Sequence, residues 1–161
     1  NGSWYPWTAV GRSAGDWKAC FTNAARALKQ GGPALRITWH MAKRGQIDVA
    51  NIWPDQAPIT NVGVSHYDDS QARFGTETSS GSPWGLRAWL NFARSKGKKL
   101  EMAEWGAGRS GDNPAYIESM YDFFRAAGDG LAHESYFNAG DSMLYPSTRL
   151  SRTAQRYRDL F

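Results

Sequence analysis

Residues 101–106 read EMAEWG, two carboxylates set in an otherwise apolar, strand-like run. Placing a charge in such a run is costly unless it is paired or put to use. Glu104 ends the run, and Trp105 and Gly106 follow at once as the start of a loop. A strand-terminal carboxylate can act as nucleophile, general acid or general base, provided hydrogen-bond donors hold it in the required state. Strict alternation gives Glu104 the parity of Leu100 and Met102, and Glu101 that of Ala103. A β-bulge near Ala103 would re-aim the end of the strand, and alternation alone does not choose between the two. Glu104 is the preferred site residue because it is terminal and precedes Trp-Gly. Glu101 is expected to be a paired interior or surface carboxylate. The competing reading of Glu104 is a structural ion pair with a strand-end Arg or His.

The remaining reactive groups are few. Glu134, beside His133, is either a substitute acid or part of a structural network. His40 and His66, both at expected strand ends, serve to position a ligand, to tune a carboxylate, or to hydrogen-bond within the core. His66, Asp68 and Asp69 lie close together without metal-ligand spacing, so neither a metal nor a cofactor is expected. Cys20 is the single cysteine, which rules out an internal disulfide and a zinc-type cysteine cluster. Eight tryptophans in 161 residues is a high count, and many stand beside Gly, Pro, Ser or Asn. Indoles on such loops make platforms for flat apolar ligands, sugar faces included; the others fill the core.

These residues need elements to hold them. Residues 16–30 carry Trp17, Cys20, Phe21, Ala24 and Leu28 at helical spacing, with Asp16 as N-cap and Gly31-Gly32 as the stop. Residues 34–40 (ALRITWH) and 60–67 (TNVGVSHY) read as strands, and a Gly/Ser/Thr-rich loop runs on to Ser82. A helix over 83–96 is followed by the strand KLEMAE, a loop, and a helix over 114–127. A last strand covers 131–137 and a basic amphipathic helix covers 150–160. Strands alternating with amphipathic helices indicate parallel βαβ units. Polar Arg36, Thr38 and His40 alternate with Leu35, Ile37 and Trp39, a one-sided pattern that suits the interior and mouth of a (β/α) barrel. Only four strands are legible, whereas such a barrel needs eight and about 250 residues. The expected fold is therefore α/β, the C-terminal half of a (β/α)8 barrel, with residues 1–161 forming one partial-barrel domain.

Bulk properties set the remaining limits. At 41% hydrophobic residues the chain can bury a real core. No stretch approaches a membrane span, and no charged-then-apolar leader opens the sequence, so no membrane association and no signal peptide are expected in it. The formal charge of +4 invites a nucleic-acid reading, but the basic residues are scattered and read better as solvated faces.

The opening NGSWYPW, with Trp4, Tyr5, Pro6 and Trp7 crowded after an Asn-Gly pair, resembles the loop after strand four of retaining glycoside hydrolases of family 26, the β-mannanase-like barrels. In that family a strand ends in Glu-Met-Asn-Gly, and its Glu is the general acid/base. Asn1 and Gly2 would then be the last half of the motif, with the acid/base just upstream of Asn1. The similarity runs along the whole chain. ALRITWH, TNVGVSHY, KLEMAEWG and LAHESYF take the places of strands five to eight, and AEWG that of the nucleophile motif. The resemblance implies Glu104 as nucleophile, Tyr67 as its hydrogen-bond donor with Trp39 as a second, His40 beside them, and Trp4, Trp7, Trp105 and Tyr136 as sugar platforms. It further implies a retaining endo-hydrolase of a β-linked polysaccharide of mannan or glucan type, extracellular or periplasmic. The partners would be the polysaccharide and either the N-terminal half-barrel or further copies of the chain. Two alternatives stay open: a non-catalytic carbohydrate-binding barrel that has lost its acid, and a basic nucleic-acid-binding domain.

Overall fold

The computed structural model describes residues 5–42, 47–70, 72–146 and 148–161. Ser13 sets the first helix: its side chain accepts from the Asp16 amide at 3.3 Å and α1 spans Ala14–Gly31. The cap is thus Ser13 rather than Asp16. Asp16 lies instead in the first turn, where a negative charge complements the helix dipole.

Strand β1 spans Thr38–Ala42 and β2 spans Asn61–Tyr67, paired in parallel with Thr38 opposite Asn61. The strand expected from Ala34 therefore starts later and runs past His40. Residues 34–37 face no partner strand, because β2 begins only at Asn61. Ile37 is tied off by Thr60, whose hydroxyl accepts from the Ile37 amide at 3.1 Å and whose amide donates to the Ile37 carbonyl at 2.7 Å.

The Gly/Ser/Thr-rich loop holds a small hairpin the sequence reading missed, β3 (Thr78–Ser79) against β4 (Ser82–Pro83). Its two turn residues, Ser80 and Gly81, both have positive φ (51° and 81°), the geometry that matches the twist of a two-residue hairpin. Because Pro83 belongs to β4, helix α2 (Leu86–Ser95) begins later than the expected residue 83. Strand β5 (Lys99–Gly106) leads to α3 (Pro114–Ala127), where the Asn113 side chain caps the Tyr116 amide and Pro114 occupies the first turn. Strand β6 (Leu131–Tyr136) leads to α4 (Ser151–Leu160). Asp112 caps that last helix from a distant loop, accepting from the Thr153 amide at 2.8 Å and its hydroxyl at 2.7 Å.

Among the described residues the main sheet has four strands in the order β1-β2-β5-β6, and every pairing is parallel. One face is apolar. Trp39, Val62, Leu100, Met102 and Trp105 have no exposed surface and form one core with Trp89, Ile117 and Met120 from α2 and α3. Each large side chain buried there contributes about 1.5–3 kcal/mol, so Met102→Ala would cost about 2–5 kcal/mol. The other face carries Thr38, His40, Ser65, Glu101 and Glu104, and it is only partly covered. The one-sided polarity seen in the sequence extends across most of the sheet, with His66 and Glu134 as polar exceptions on the helix side. No helix among the described residues is long and apolar enough to cross a membrane.

Candidate active site

Strand β5 does not keep strict alternation. Gly63 pairs with Glu101 and Ser65 with Glu104, so β5 advances three residues while β2 advances two. On the other side Met102 pairs with Glu134 and Trp105 with Tyr136, the same mismatch. The extra residue falls around Ala103. This bulge turns Glu104 to the same open face as Glu101, although their sequence parity is opposite.

The two carboxylates meet different surroundings. Glu101 is 9% exposed, and its Oε2 accepts from the Thr38 hydroxyl (2.6 Å) and the Asn61 amide (2.9 Å). Its Oε1 lies 3.6 Å from His133 Nε2. Glu101 thereby links all four strands. Gly63 makes room for this row, since a Cβ there would meet Thr38 Cγ2 at 2.7 Å.

Glu104 stands one row nearer the strand ends and is half-buried. The Tyr67 hydroxyl donates to its Oε1. Burial, and then the hydrogen bond to Glu104, push the Tyr67 hydroxyl well above its ordinary range, against an opposing pull from Arg109. Tyr67 is consequently a protonated donor throughout the neutral range. Beside this pair, His40 Nε2 shares a 2.8 Å hydrogen bond with Ser65 Oγ. Burial is the largest influence on the His40 pKa and lowers it from 6.5, against the raising effect of Glu104 and Glu101, which favours the neutral imidazole.

Gly106 explains half of the Trp-Gly signal. A Cβ there would lie 2.8 Å from Ser142 Cβ and 3.1 Å from Tyr67 Cε1, so a larger residue would displace the ring that donates to Glu104. The ring is further fixed by Phe137, edge-on at 6.3 Å, and by the Arg109 guanidinium 3.8 Å from its centroid.

A cleft of about 1050 Å³ opens in front of Glu104, with Thr38, His40 and Ser65 on its floor. Its walls are aromatic. Tyr5 and Trp7 stack at 4.8 Å, with Trp7 64% exposed, and Trp17 stacks on Phe21 at 5.5 Å. Trp17 Nε1 also donates to the Trp7 carbonyl at 3.1 Å, which joins the two pairs.

Of the residues singled out from the sequence, Glu104, Tyr67, His40 and Trp7 come together here. Trp4, with Asn1 and Gly2, lies outside the described residues. Trp39, Trp105 and Tyr136 belong to the opposite face. Trp39 packs against Trp53 and Phe92, with no surface left for a ligand and no donor role toward Glu104. Trp105 is fully buried and its indole donates to Glu134. The Tyr136 ring meets Trp105 edge-on at 4.8 Å, and its hydroxyl, pushed up to about 12 by burial, donates to the Ser142 carbonyl at 2.9 Å. None of the three is a cleft platform, because the bulge and the pairing register direct them to the helices. Glu134 shares that face through its bond to Trp105, which removes it as a substitute acid. His66 is also on the helix side, with Nδ1 2.8 Å from the Tyr116 hydroxyl.

Asp68 is a loop anchor. Its Oδ1 accepts from the Arg109 amide at 2.7 Å, and its carbonyl accepts from the Ser110 hydroxyl. Among the described residues no group of three or more His, Cys, Asp or Glu is placed to hold a metal. The sequence reading missed Tyr5 and Trp17 as cleft walls, and Arg109 and Phe137 as contacts of Tyr67. Phe137 was accessible by parity, since it follows Tyr136 onto the opposite side.

The fold is GH26-like. The chain superimposes on a Cellulomonas fimi endo-β-1,4-mannanase double mutant with a TM-score of 0.63 and 19% identity, covering 98% of this chain and 38% of that one. It superimposes equally on the catalytic domain of the Bacillus sp. JAMB-750 GH26 endo-β-1,4-mannanase, with a TM-score of 0.63 and 16% identity, covering 99% of this chain and 47% of that one. The chain thus spans less than half the length of either structure. No protein-family profile matches the sequence, and no curated protein matches it.

Proposed function

We propose that the chain is the C-terminal half of a (β/α)8 barrel, strands five to eight, from a retaining endo-hydrolase of a β-linked polysaccharide of mannan type. The observation that carries this reading is Glu104: it lies near the C-terminal end of β5, accepts from Tyr67, and faces an aromatic-walled cleft. The fold shared with two endo-β-1,4-mannanases supports it.

The chemistry follows from the geometry of a retaining site. The Glu104 carboxylate attacks the anomeric carbon as the glycosidic C–O bond breaks, and an acid supplied by the strand before Asn1 protonates the leaving oxygen. Water, deprotonated by that same group, then displaces Glu104 and restores the carboxylate. Retaining enzymes hold the two carboxyl groups about 5–5.5 Å apart. Tyr67 fixes one oxygen of Glu104 and leaves the other for attack, while neutral His40 keeps a second positive charge away from the developing oxocarbenium ion. Tyr5, Trp7 and Trp17 supply apolar faces for sugar rings. Edges β1 and β6 pair with the N-terminal half-barrel, or with another copy if that half is absent, since an unpaired edge invites association. The enzyme acts outside the cell, where its polymeric substrate is.

The test is covalent. In the full barrel, an activated fluorinated mannoside that reacts quickly and hydrolyses slowly should label Glu104, with the anomeric configuration retained in the product. Inverted product would reject the covalent step. Binding of mannan by the full barrel with no turnover at all would point to a carbohydrate-binding protein.

A further inference from the structure

The Tyr67–Glu104 pair is supported from outside by one residue with no assigned role. Arg109 lies in the loop between β5 and α3, exposed to solvent along one side. Its guanidinium sits 3.8 Å from the centre of the Tyr67 ring, well inside the range of about 6 Å over which a cation is attracted to an aromatic face.

That placement is built. Asp68, the residue directly after Tyr67, is 2% exposed and accepts from the amides of Arg109 (2.7 Å) and Ser110 (3.4 Å). Its second oxygen accepts from the Asn113 side chain at 3.5 Å, and its carbonyl accepts from the Ser110 hydroxyl. One buried carboxylate therefore ties the end of β2 to the loop that follows β5. Gly108, with φ of 106°, completes the loop: a Cβ there would collide with the Asp141 carbonyl. The backbone of Arg109 is locked to the residue beside Tyr67, and its side chain has only to fold back onto the ring. Gly106 approaches that ring at Cε1 and Phe137 packs roughly perpendicular to it, while Arg109 lies close over the ring centre.

We propose that Arg109 is a positioning residue, held by the Asp68-anchored loop over Tyr67 so that the tyrosine hydroxyl stays aimed at Glu104. The inference rests on the reading of Glu104 as nucleophile for its kinetic consequence, but not for its structural one. A planar guanidinium suits the task because it covers the ring and also acts on the tyrosine hydroxyl, by its charge and by a side-chain hydrogen bond.

The experiment has two arms. The first needs no turnover: the full protein is labelled with ring-13C tyrosine, and the Tyr67 signal is identified by its loss in Tyr67→Phe. Arg109→Ala should move that signal toward the position of free tyrosine and speed the ring flip, and Arg109→Lys should fall between the two. An unchanged Tyr67 signal in Arg109→Ala overturns the proposal. The second arm is kinetic, in the full barrel acting on β-mannan. Arg109→Ala should lower kcat by roughly ten- to a hundred-fold, the scale of a small misplacement of a catalytic group, with KM changed less than about two-fold. In the Tyr67→Phe background the same substitution should change kcat less than about two-fold, because the hydroxyl it positions is gone. A full additional loss in that background overturns the proposal and assigns Arg109 a direct contact with substrate. A displaced Tyr67 signal in a full barrel that hydrolyses nothing supports the positioning role and rejects the hydrolase reading instead.

Discussion

Glu101 and Glu104 are the same residue type on the same strand and the same face, yet their surroundings assign them opposite work. Glu101 is enclosed by three partners on three other strands, Thr38, Asn61 and His133. Its Oε2 is spent on two cross-strand hydrogen bonds, and its Oε1 faces His133 at 3.6 Å. Among the described residues Glu104 has one donor, Tyr67, and an open cleft on its other side. A carboxylate enclosed by partners on three strands is a fastener, whereas one that faces an open cleft can react. The bulge at Ala103 makes the comparison possible, since without it the two groups would point to opposite faces.

The sharpest way to break the comparison is to remove each carboxylate in turn. Glu104→Ala in the full barrel should lower turnover on β-mannan by on the order of 10⁴-fold or more, the usual scale for losing a nucleophile. Urea unfolding should shift by less than about 1 kcal/mol, and polysaccharide binding should persist because the aromatic walls remain. Near-wild-type turnover without an added nucleophile would reject the assignment.

Glu101→Ala should do the reverse. It leaves the Thr38 hydroxyl and the Asn61 amide buried without an acceptor, so unfolding free energy should fall by about 3 kcal/mol. Glu101→Gln keeps one acceptor and should lose less. A Glu101→Ala protein as stable as the wild type would show that the network fastens nothing.

The support beneath Tyr67 comes next in size. Gly106→Ala has an ordinary backbone to adopt but no room for its methyl group, which would press on Ser142 and the Tyr67 ring. Such overpacking should cost about 1–3 kcal/mol in thermal or urea unfolding. The same substitution should displace the Tyr67 ring signal, which separates this effect from a general loss of packing.

Much of this arrangement was legible in the sequence, and the illegible parts share a cause. The order of strands and helices followed from periodicity, and Glu104 with Tyr67 followed from strand ends and family resemblance. Direction was harder. Trp105 and Tyr136 looked like loop aromatics because each abuts a turn, but parity across an irregular strand cannot be counted from one end. The start of β1 was misplaced because an apolar run becomes a strand only where a neighbour pairs with it. The hairpin at Ser80-Gly81 is local, but its strands are only two residues long and lie hidden in a polar loop; the Asp68-anchored loop rests on groups meeting across about 40 residues, which no local pattern announces.

The smallest expected effect concerns His40, which feels the charge of both carboxylates. Burial lowers its pKa below 6.5, while Glu104 and Glu101 pull it back upward. As the pH falls through 6.5, the unfolded chain takes up this proton first and the folded protein only at lower pH. The unfolded state then binds more protons, so stability present above that value is lost as the pH drops through the folded pKa. The opposing carboxylates limit the shift, so this is the smallest of the effects expected. Urea unfolding between about pH 5 and 8 should show a decline on the acid side that is flatter in His40→Asn. Removing Glu101's charge with Glu101→Gln should steepen the decline, since one of the two groups that raise the His40 pKa is then neutral. Identical acid slopes in the wild type and His40→Asn would show that His40 makes no contribution of its own, and that the pH response of the open face belongs to the carboxylates alone.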